Sequence, residues 1–219
     1  MRRIFVVFLL TLWFLALPLL AAETEWVKIV SRVEKSLVAL IGTYADDPAP
    51  SLPFCAGFFI DQLRFYVLTA QHCVADVKDL KADGRSAVIV WAQKEMDFVV
   101  LNVAGNSKPA LLPNWSVKKG EMVGALGYGY RLRTPIIRMS VVSLPSTVWS
   151  GESVPHITTD HTFVAGMSGG PLFNRDGSVV GLVVSGDQQS GWAIPITFIY
   201  QHTKQFWGFN DSRLGGALP

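Results

Sequence analysis

Residues 166–171 read GMSGGP, which sets Ser168 among three glycines and follows them with a proline. Glycine is favoured wherever a turn needs a positive φ, so this segment fits an ordinary tight turn. It equally fits a serine nucleophile, because Gly166 would let the backbone approach a substrate carbonyl closely. The N–H groups of Gly166 and Ser168 could then converge on the oxyanion that forms. Residues elsewhere in the chain are needed to distinguish between these two interpretations.

The chain beyond residue 35 is a succession of short apolar runs rich in valine, isoleucine and aromatic residues. These runs are SLVALIGTY, AGFFI, RFYVLTA, SAVIVWA, DFVVLNVA, MVGALGYGY, IRMSVVSL, SVVGLVVSG and GWAIPI. Turn-forming clusters such as DDPAP, ADGR, NSKP and NRDG separate them, which is typical of many strands joined by turns. The pattern predicts an all-β fold, a sandwich or a barrel. Ahead of the strands, apolar residues at helical spacing predict one short amphipathic helix over 25–35.

The first 22 residues resemble a secretory leader. A basic start, Met1-Arg2-Arg3, precedes an apolar run from Ile4 to Ala22, and small residues stand where a peptidase could cut before Glu23. The sequence therefore predicts an exported protein, periplasmic or secreted. Because the apolar run is also long enough to span a bilayer, a retained membrane anchor is the alternative, and membrane contact is expected only in that case.

Charge and cysteine content exclude several classes of partner. The formal net charge of +2 falls to zero when the two arginines leave with the leader, and no basic tract remains, so nucleic acid is not an expected partner. In an oxidising compartment the two cysteines would form a disulfide; metal binding is their competing use. No CxxC occurs and the histidines lack the spacing of zinc ligands, so neither a metal nor a cofactor is expected. The histidines are His72, His156, His161 and His202.

Two further segments hold candidates for the base and the orienting acid that a serine nucleophile needs. LTAQHCV, residues 68–74, sets His72 directly after an apolar strand, and MDFVVLNV, residues 96–103, sets Asp97 at the head of another. Taken singly, His72 fits a structural histidine and Asp97 fits a turn former. An aspartate buried there could instead hold an imidazole in the correct tautomer and stabilise its protonated form.

Together these segments resemble the trypsin-like (chymotrypsin-fold) serine proteases, in which the same three residue types follow in the order His, Asp, Ser. The family's TAxHC segment corresponds to residues 69–73, and its GxSGGP segment corresponds to residues 166–171. The acidic residue that opens an apolar strand in the family corresponds to Asp97, at the start of residues 97–101. FCAGFFI at 54–60 is similar to the family's strand whose cysteine bridges to the one after the histidine. The resemblance therefore implies a Cys55–Cys73 disulfide.

The resemblance implies two antiparallel β-barrels with the active site in the cleft between them. His72 would act as general base and then general acid, and Asp97 would orient it. Ser168 would attack the scissile carbonyl, and the N–H groups of Gly166 and Ser168 would form the oxyanion hole. Residues 184–186, Val184, Ser185 and Gly186, match the strand edge on which the family binds the substrate backbone as an added strand.

The family pattern also locates the specificity pocket. Its floor would fall near Thr162 and Phe163, neither of which supplies an acid for an arginine or lysine of the substrate, and GWAIP at 191–195 would form its back wall. We therefore expect a preference for small or medium apolar residues. Asp160 and Asp187 are close enough in sequence to overturn that expectation.

The sequence pattern also indicates a domain division, and the resemblance indicates the branch of the family. A leader at 1–22 precedes a protease domain at 23–210, with barrels at about 36–104 and 118–205, and a flexible tail covers 211–219. Met167 stands where many animal members carry an aspartate that pairs with a newly cut N-terminus, so activation by that route is not expected. TTDHTFVAGMSGGP and GWAIP resemble the bacterial Deg-type branch instead. The C-terminal peptide-binding PDZ domain of that branch is not expected here.

Two functions from different classes remain open. The leading hypothesis is an exported serine endopeptidase that cleaves proteins or peptides through an acyl-enzyme intermediate. The alternative is a catalytically silent trypsin-like fold that serves as a binding or scaffold protein, since a fold can persist after its activity is lost. An α/β-hydrolase is disfavoured because its chain order is Ser, acid, His, whereas the histidine comes first here.

Overall fold

The computed structural model describes residues 25–43, 52–93, 95–105, 107–149 and 151–208. The leader and the tail expected from the sequence lie outside these ranges. Helix α1 covers residues 25–34 and helix α2 covers Ile196–Thr203. The strands are β1 Leu37–Thr43, β2 Cys55–Asp61, β3 Tyr66–Thr69, β4 Lys78–Ala82, β5 Arg85–Ser86, β6 Val88–Ala92, β7 Val99–Asn102, β8 Met122–Tyr128, β9 Pro135–Thr147, β10 His156–Thr159, β11 Pro171–Phe173, β12 Val179–Gly186 and β13 Gly191–Pro195. Neither helix is long and apolar enough to cross a membrane.

The first half of the fold is a curled antiparallel sheet of seven strands in the order β5-β4-β1-β2-β3-β7-β6. Its two outermost strands follow each other directly in the chain: β5 pairs with β4 and β6 pairs with β7. Between them the Ala87 N–H donates to the Leu80 carbonyl at 3.0 Å. One extended segment, residues 85–92, therefore links both ends of the sheet and bends it into a barrel.

The second half is a closed six-stranded barrel in the order β10-β13-β12-β11-β8-β9. Neighbouring strands are antiparallel, and the long β9 pairs with β8 along its first part and with β10 along its last part. The expected all-β fold of two antiparallel barrels is confirmed, as is the helix expected near the N-terminus.

Side chains that alternate along β11 and β12 belong to two different core clusters. In β11, Leu172 points into the second barrel while its neighbour Phe173 packs against the large cluster built from the first sheet. In β12, Val183 and Val184 divide in the same way. Because successive strand residues face opposite sides, these strands serve both the interior of the second barrel and the seam between the barrels. That seam carries the candidate site.

The connection between the barrels is bonded to both of them through residues 111 and 112. The Leu111 N–H donates to the Phe59 carbonyl of β2 at 2.9 Å, and the Val179 N–H of β12 donates to the Leu112 carbonyl at 2.9 Å. The connection therefore helps to fix the barrels against each other.

Candidate active site

His72 and Asp97 are joined by two hydrogen bonds. His72 lies on the one-turn 3-10 helix Gln71–Cys73 after β3, and Asp97 lies just before β7, the partner of β3. The ring Nδ1 is 2.7 Å from one carboxylate oxygen of Asp97, and the backbone N–H of His72 donates to the other at 2.9 Å. A carboxylate that accepts from Nδ1 leaves Nε2 as the basic nitrogen of the neutral ring.

The loop before Asp97 is held by the residue beside the histidine. With its amide oriented so that the nitrogen donates, Gln71 bonds the carbonyls of Met96 at 2.6 Å and Gln93 at 2.8 Å. The side chains of His72 and Asp97 are 47% and 38% exposed, so both are open to solvent. Gln71 thus fixes the loop that carries Asp97, while the imidazole stays accessible to solvent.

The turn that carries Ser168 requires glycine at its key positions. Gly166 has φ of +92° and Gly169 has φ of +82°, both in the region that favours glycine. A Cβ at Gly166 would lie 2.5 Å from the Tyr128 carbonyl oxygen, and one at Gly169 would lie 2.1 Å from the Ala56 carbonyl oxygen. GMSGGP can therefore be both a tight turn and part of a catalytic site, because this turn presents Ser168 at the seam between the barrels.

The amide groups of the turn fall into two sets. The Met167 and Gly170 N–H groups donate within the turn, at 3.0 Å each, and the Gly169 N–H donates to the Val183 carbonyl at 2.7 Å. Among the described residues no acceptor receives the N–H of Gly166 or of Ser168. Two unused donors, one on the serine itself and one two residues before it, are the kind of groups that an oxyanion hole requires.

The hydroxyl of Ser168 is bonded away from the histidine, a detail that the sequence did not predict. It donates to the Val184 carbonyl of β12 at 3.0 Å. Hydrogen bonds of a catalytic serine are often formed only with substrate in place, so this geometry is compatible with a resting site.

A disulfide joins the histidine segment to the strand that holds the serine. Cys55 and Cys73 are bonded, with their Cα atoms 6.0 Å apart, as the resemblance implied. Next to Cys55, the Ala56 N–H donates to the Ser168 carbonyl at 2.9 Å, and the Ala56 carbonyl accepts from the Thr69 hydroxyl at 2.7 Å. We call this path from His72 through the disulfide to Ser168 the disulfide clamp.

The clamp also occupies the one group of potential metal ligands found among the described residues. Ligand atoms of Cys55, His72 and Cys73 lie within 4.8 Å of one another. Both sulfurs are consumed by the disulfide, and a thiolate is the form of cysteine that binds a metal. The close approach therefore sets the disulfide against the imidazole ring.

The residues expected to shape the specificity pocket lie together. A Cβ at Gly186 would be 2.7 Å from the Thr162 hydroxyl oxygen and one at Gly191 would be 2.7 Å from Cε2 of Phe163, so these four residues are in contact. Phe163 is only 7% exposed and packs in the core of the second barrel. Its ring thus fills space that a smaller residue would leave open.

The two aspartates near this region are engaged locally. Asp187 accepts the N–H groups of Gln189 and Ser190 at 2.7 Å each. Desolvation acts to raise the pKa of Asp160, but hydrogen bonds from the Val141 N–H and the His161 ring outweigh it and hold that pKa below its usual value. Asp187 therefore stabilises its own turn, and Asp160 joins its loop to β9.

The end of β12 leaves one edge free beside Ser168. Ser185 and Gly186 pair with Trp192 and Gly191 of β13, whereas β11 on the other side reaches only to Leu182. Both residues are exposed. An extended peptide could add to this edge as a further strand.

Met167 is a packing residue. It is fully buried in the core of the second barrel, and a Cβ at Gly127 would lie 2.8 Å from its Cα. An ionised group at this position would have to lose its hydration in that apolar environment, which is costly without a partner.

A cavity behind Asp97 was missed by sequence reasoning. It has a volume of about 370 Å³ and is lined by Glu95, Asp97, Glu152 and His156, among others. Burial lowers the pKa of His156 below its ordinary value of 6.5, against the opposing effect of the nearby Glu152 and Asp97 carboxylates. No local signal could reveal this neighbourhood, because only the packing of one barrel on the other brings residues 151–156 to Asp97.

Comparison with known proteins agrees with this architecture. Residues 55–182 match the trypsin-like peptidase domain. Over 150 residues the chain is 31% identical to a probable periplasmic serine endoprotease, DegP-like, of Halomonas elongata, covering 65% of this chain and 31% of that protein. A relative of the same description from Ectopseudomonas mendocina is 33% identical over 164 residues, 67% of this chain and 34% of that protein. The chain thus spans about a third of the length of these curated relatives.

Solved structures share the fold at lower identity. The active form of the Rv3671c protease from M. tuberculosis superimposes with a TM-score of 0.69 at 22% identity, covering 84% of this chain and 85% of that one. The HtrA-type protease AlgW, solved with a tripeptide, gives a TM-score of 0.69 at 23% identity over 82% of this chain and 62% of that one. Since the domain match spans more than half of the sequence, the chain belongs to the trypsin-like peptidase domain family.

Proposed function

We propose that this protein is an exported serine endopeptidase with His72, Asp97 and Ser168 as its catalytic residues. The observation that carries the proposal is the pair of hydrogen bonds that the Asp97 carboxylate accepts from the ring and the backbone N–H of His72. A surface histidine has no need of such fixation, whereas a general base does. The serine endoprotease names of the DegP-like relatives support the same activity.

Acylation begins when the Ser168 hydroxyl leaves the Val184 carbonyl and turns to Nε2 of His72. The serine oxygen bonds to the scissile carbonyl carbon as its proton passes to Nε2, and Asp97 stabilises the imidazolium. The carbonyl oxygen becomes an oxyanion and accepts the N–H groups of Gly166 and Ser168. His72 then protonates the leaving amine, the carbon–nitrogen bond breaks, and an acyl-enzyme remains.

Deacylation repeats these steps with water as the nucleophile. His72 removes a proton from water as its oxygen bonds to the acyl carbon, and the same two N–H groups receive the second oxyanion. Return of the proton to the Ser168 oxygen releases the carboxylic acid product. No cofactor enters either half of this reaction.

The substrate backbone binds along the free edge of β12 at Ser185 and Gly186. Main-chain hydrogen bonds of an added strand position the peptide without regard to its sequence, and pockets for alternate side chains give specificity. Extended protein or peptide segments are therefore the proposed substrates.

We further propose that the residue before the scissile bond is small and apolar. The buried Phe163 ring lies against Gly191 and the Thr162 hydroxyl lies against Gly186, so little room remains there for a large side chain. Shortening Phe163 to valine should widen the pocket and shift cleavage toward larger apolar residues, which a peptide library read by mass spectrometry would reveal. Cleavage chiefly after arginine or lysine in the wild-type protein would disprove this specificity.

The location follows from the N-terminal residues and from the relatives. Residues 1–22 combine a basic start with an apolar run, and the DegP-like relatives are described as periplasmic. We propose export to the periplasm or beyond, with the N-terminal segment removed; mass spectrometry of the exported protein should find Glu23 as its first residue.

The activity is tested with a denatured protein substrate. Wild-type protein should cleave it, Ser168→Ala should not, and Ser86→Ala, which removes an exposed hydroxyl from β5, should cleave as the wild type does. Circular dichroism has to show that all three are folded. If folded wild-type protein and Ser168→Ala were equally inert, the silent scaffold would replace the endopeptidase.

A further inference from the structure

A second cleft lies outside the active site, where the end of α1 meets the connection between the barrels and the turn from β11 to β12. Its volume is about 230 Å³, and its walls come from residues 32, 35 and 36, from 109–112 and from 176–178. Sites for drug-sized ligands usually exceed roughly 300 Å³, so this cleft suits a smaller molecule or one end of a larger one.

Ser36 gives this cleft a buried hydroxyl that has no partner. The residue is 1% exposed, and its Oγ makes no hydrogen bond to any described residue. Its backbone is fully used, since its N–H donates to the Val33 carbonyl and its carbonyl accepts from the Phe59 N–H, both at 3.0 Å. The hydroxyl is therefore the polar group that Ser36 can offer to a ligand, and a buried hydroxyl left unbonded is costly.

The charged side chains of the cleft leave an excess of positive charge. Arg32 donates to the backbone carbonyl of Asp176 and lies against Gly177, where a Cβ would be 2.5 Å from Nη2. Lys35 is exposed, and no carboxylate of the described ranges lies within ion-pair distance of it. Against these two cations the cleft holds the single carboxylate of Asp176.

The opposite wall is apolar. Leu111 is buried, Leu112 is 58% exposed, and Pro109 and Ala110 complete the wall. A hydroxyl donor and two cations facing an aliphatic wall are complementary to a molecule with an anionic end and a short apolar body.

We propose that this cleft binds a carboxylate that carries a short aliphatic chain. The carboxylate accepts from the Ser36 hydroxyl and pairs with Lys35, and the aliphatic chain packs on Leu112. A carboxylate is preferred to phosphate because a phosphate would set more charge against the apolar wall and against Asp176. A free short-chain acid and the C-terminus of a peptide ending in an aliphatic residue share this chemistry.

Isothermal titration calorimetry with isovalerate tests the proposal, and isovaleramide, which has the same shape without the charge, is the control ligand. The acid should bind at one site and the amide should not. Lys35→Gln should weaken binding about tenfold, because a charge-assisted contact is lost, whereas Asp176→Asn should strengthen it. Lys28→Gln, an equivalent change on α1 away from this cleft, should have no effect.

Ser36→Ala supplies an independent variant. It should weaken isovalerate binding by about tenfold, and it should melt at or above the wild-type temperature, because the hydroxyl it removes has no protein partner. Lys35→Gln still carries the test if Ser36→Ala fails to fold. The proposal is overturned if the amide or inorganic phosphate binds as well as isovalerate, or if Lys35→Gln and Lys28→Gln behave alike.

The source of the carboxylate is separated by a second titration, with N-acetyl-glycyl-leucine and its C-terminal amide on the Ser168→Ala protein. Binding of the peptide acid but not of its amide assigns the cleft to peptide C-termini; binding of isovalerate alone assigns it to free acids. Absence of binding by both acids to folded protein refutes the proposal. None of these measurements depends on proteolysis, so the proposed enzyme activity can fail or stand separately.

Discussion

Removing the disulfide clamp should affect stability and catalysis separately, and the two effects can be measured on the same variant. The double variant Cys55→Ala, Cys73→Ala opens a loop of 18 residues in the unfolded chain. Closing a loop of that length lowers the entropy of the unfolded state by an amount worth about 3 kcal/mol at room temperature. For a chain of this size the melting temperature should fall by roughly 6–12 °C.

The effect on catalysis comes from the way the clamp positions Ser168 relative to His72. The clamp joins the residue after His72 to the residue before Ala56, whose N–H holds the Ser168 carbonyl at 2.9 Å. Without the bond, the distance from Nε2 to the serine oxygen is set by packing alone, and a displacement near 1 Å can cost up to about 100-fold in rate. The loss should appear in kcat, with KM nearly unchanged, since the strand edge of β12 that binds the substrate backbone is intact.

The assay combines thermal denaturation with steady-state kinetics at a temperature well below the melting temperatures of all three proteins, which are the wild type, the double variant and a control. Ile196→Ala is the matched control, since truncating this fully buried residue should cost about 2–5 kcal/mol without touching the site. The control should keep the wild-type kcat while the double variant loses it. Equal kcat values for all three proteins would refute the positioning argument, and an unchanged melting temperature of the double variant would refute the loop argument.

Three further perturbations test individual parts of the account. Asp97→Asn should lower kcat by about 10⁴-fold, because the amide favours the wrong imidazole tautomer, and stopped assays at neutral pH would measure this. Gly166→Ala, whose Cβ would lie 2.5 Å from the Tyr128 carbonyl oxygen, should displace one oxyanion donor and lower kcat by about 10²–10³-fold with little change in KM. The pKa of His156 in the folded protein lies below its unfolded value of 6.5, so the unfolded chain binds the proton more readily and the free energy of unfolding falls as the pH drops below that value. In urea titrations, His156→Gln should lose less stability at acid pH than the wild type does. An equal loss of stability in both proteins would contradict this prediction.

The fold could be predicted from the sequence because its signals are local. Runs such as SVVGLVVSG alternate between two buried faces, and turn residues separate them at short intervals. The glycines of GMSGGP predicted a tight turn for the same reason, since φ at Gly166 and Gly169 is a property of a few residues. The disulfide and the His72–Asp97 contact needed the family resemblance, because nothing local joins residues 55 and 73 or 72 and 97.

Features that depend on contact between the barrels could not be predicted. The Ser168 hydroxyl bonds to Val184, and His156 lies beside Asp97, only because of how the barrels pack. Closure of the first barrel by residues 85–92 was hidden for a different reason. The segment changes its partner strand at Ala87, and closure depends on contacts between residues far apart in the sequence.

The central claim is that Ser168 is a nucleophile made reactive by His72 and Asp97. Intact-mass spectrometry after treatment with a fluorophosphonate tests it most directly, because this reagent bonds only to an activated serine. Wild-type protein should gain one adduct per chain, on Ser168, while His72→Ala should react at least about 10³-fold more slowly. Folded wild-type protein that gains no adduct, or that reacts no faster than His72→Ala, would contradict the account.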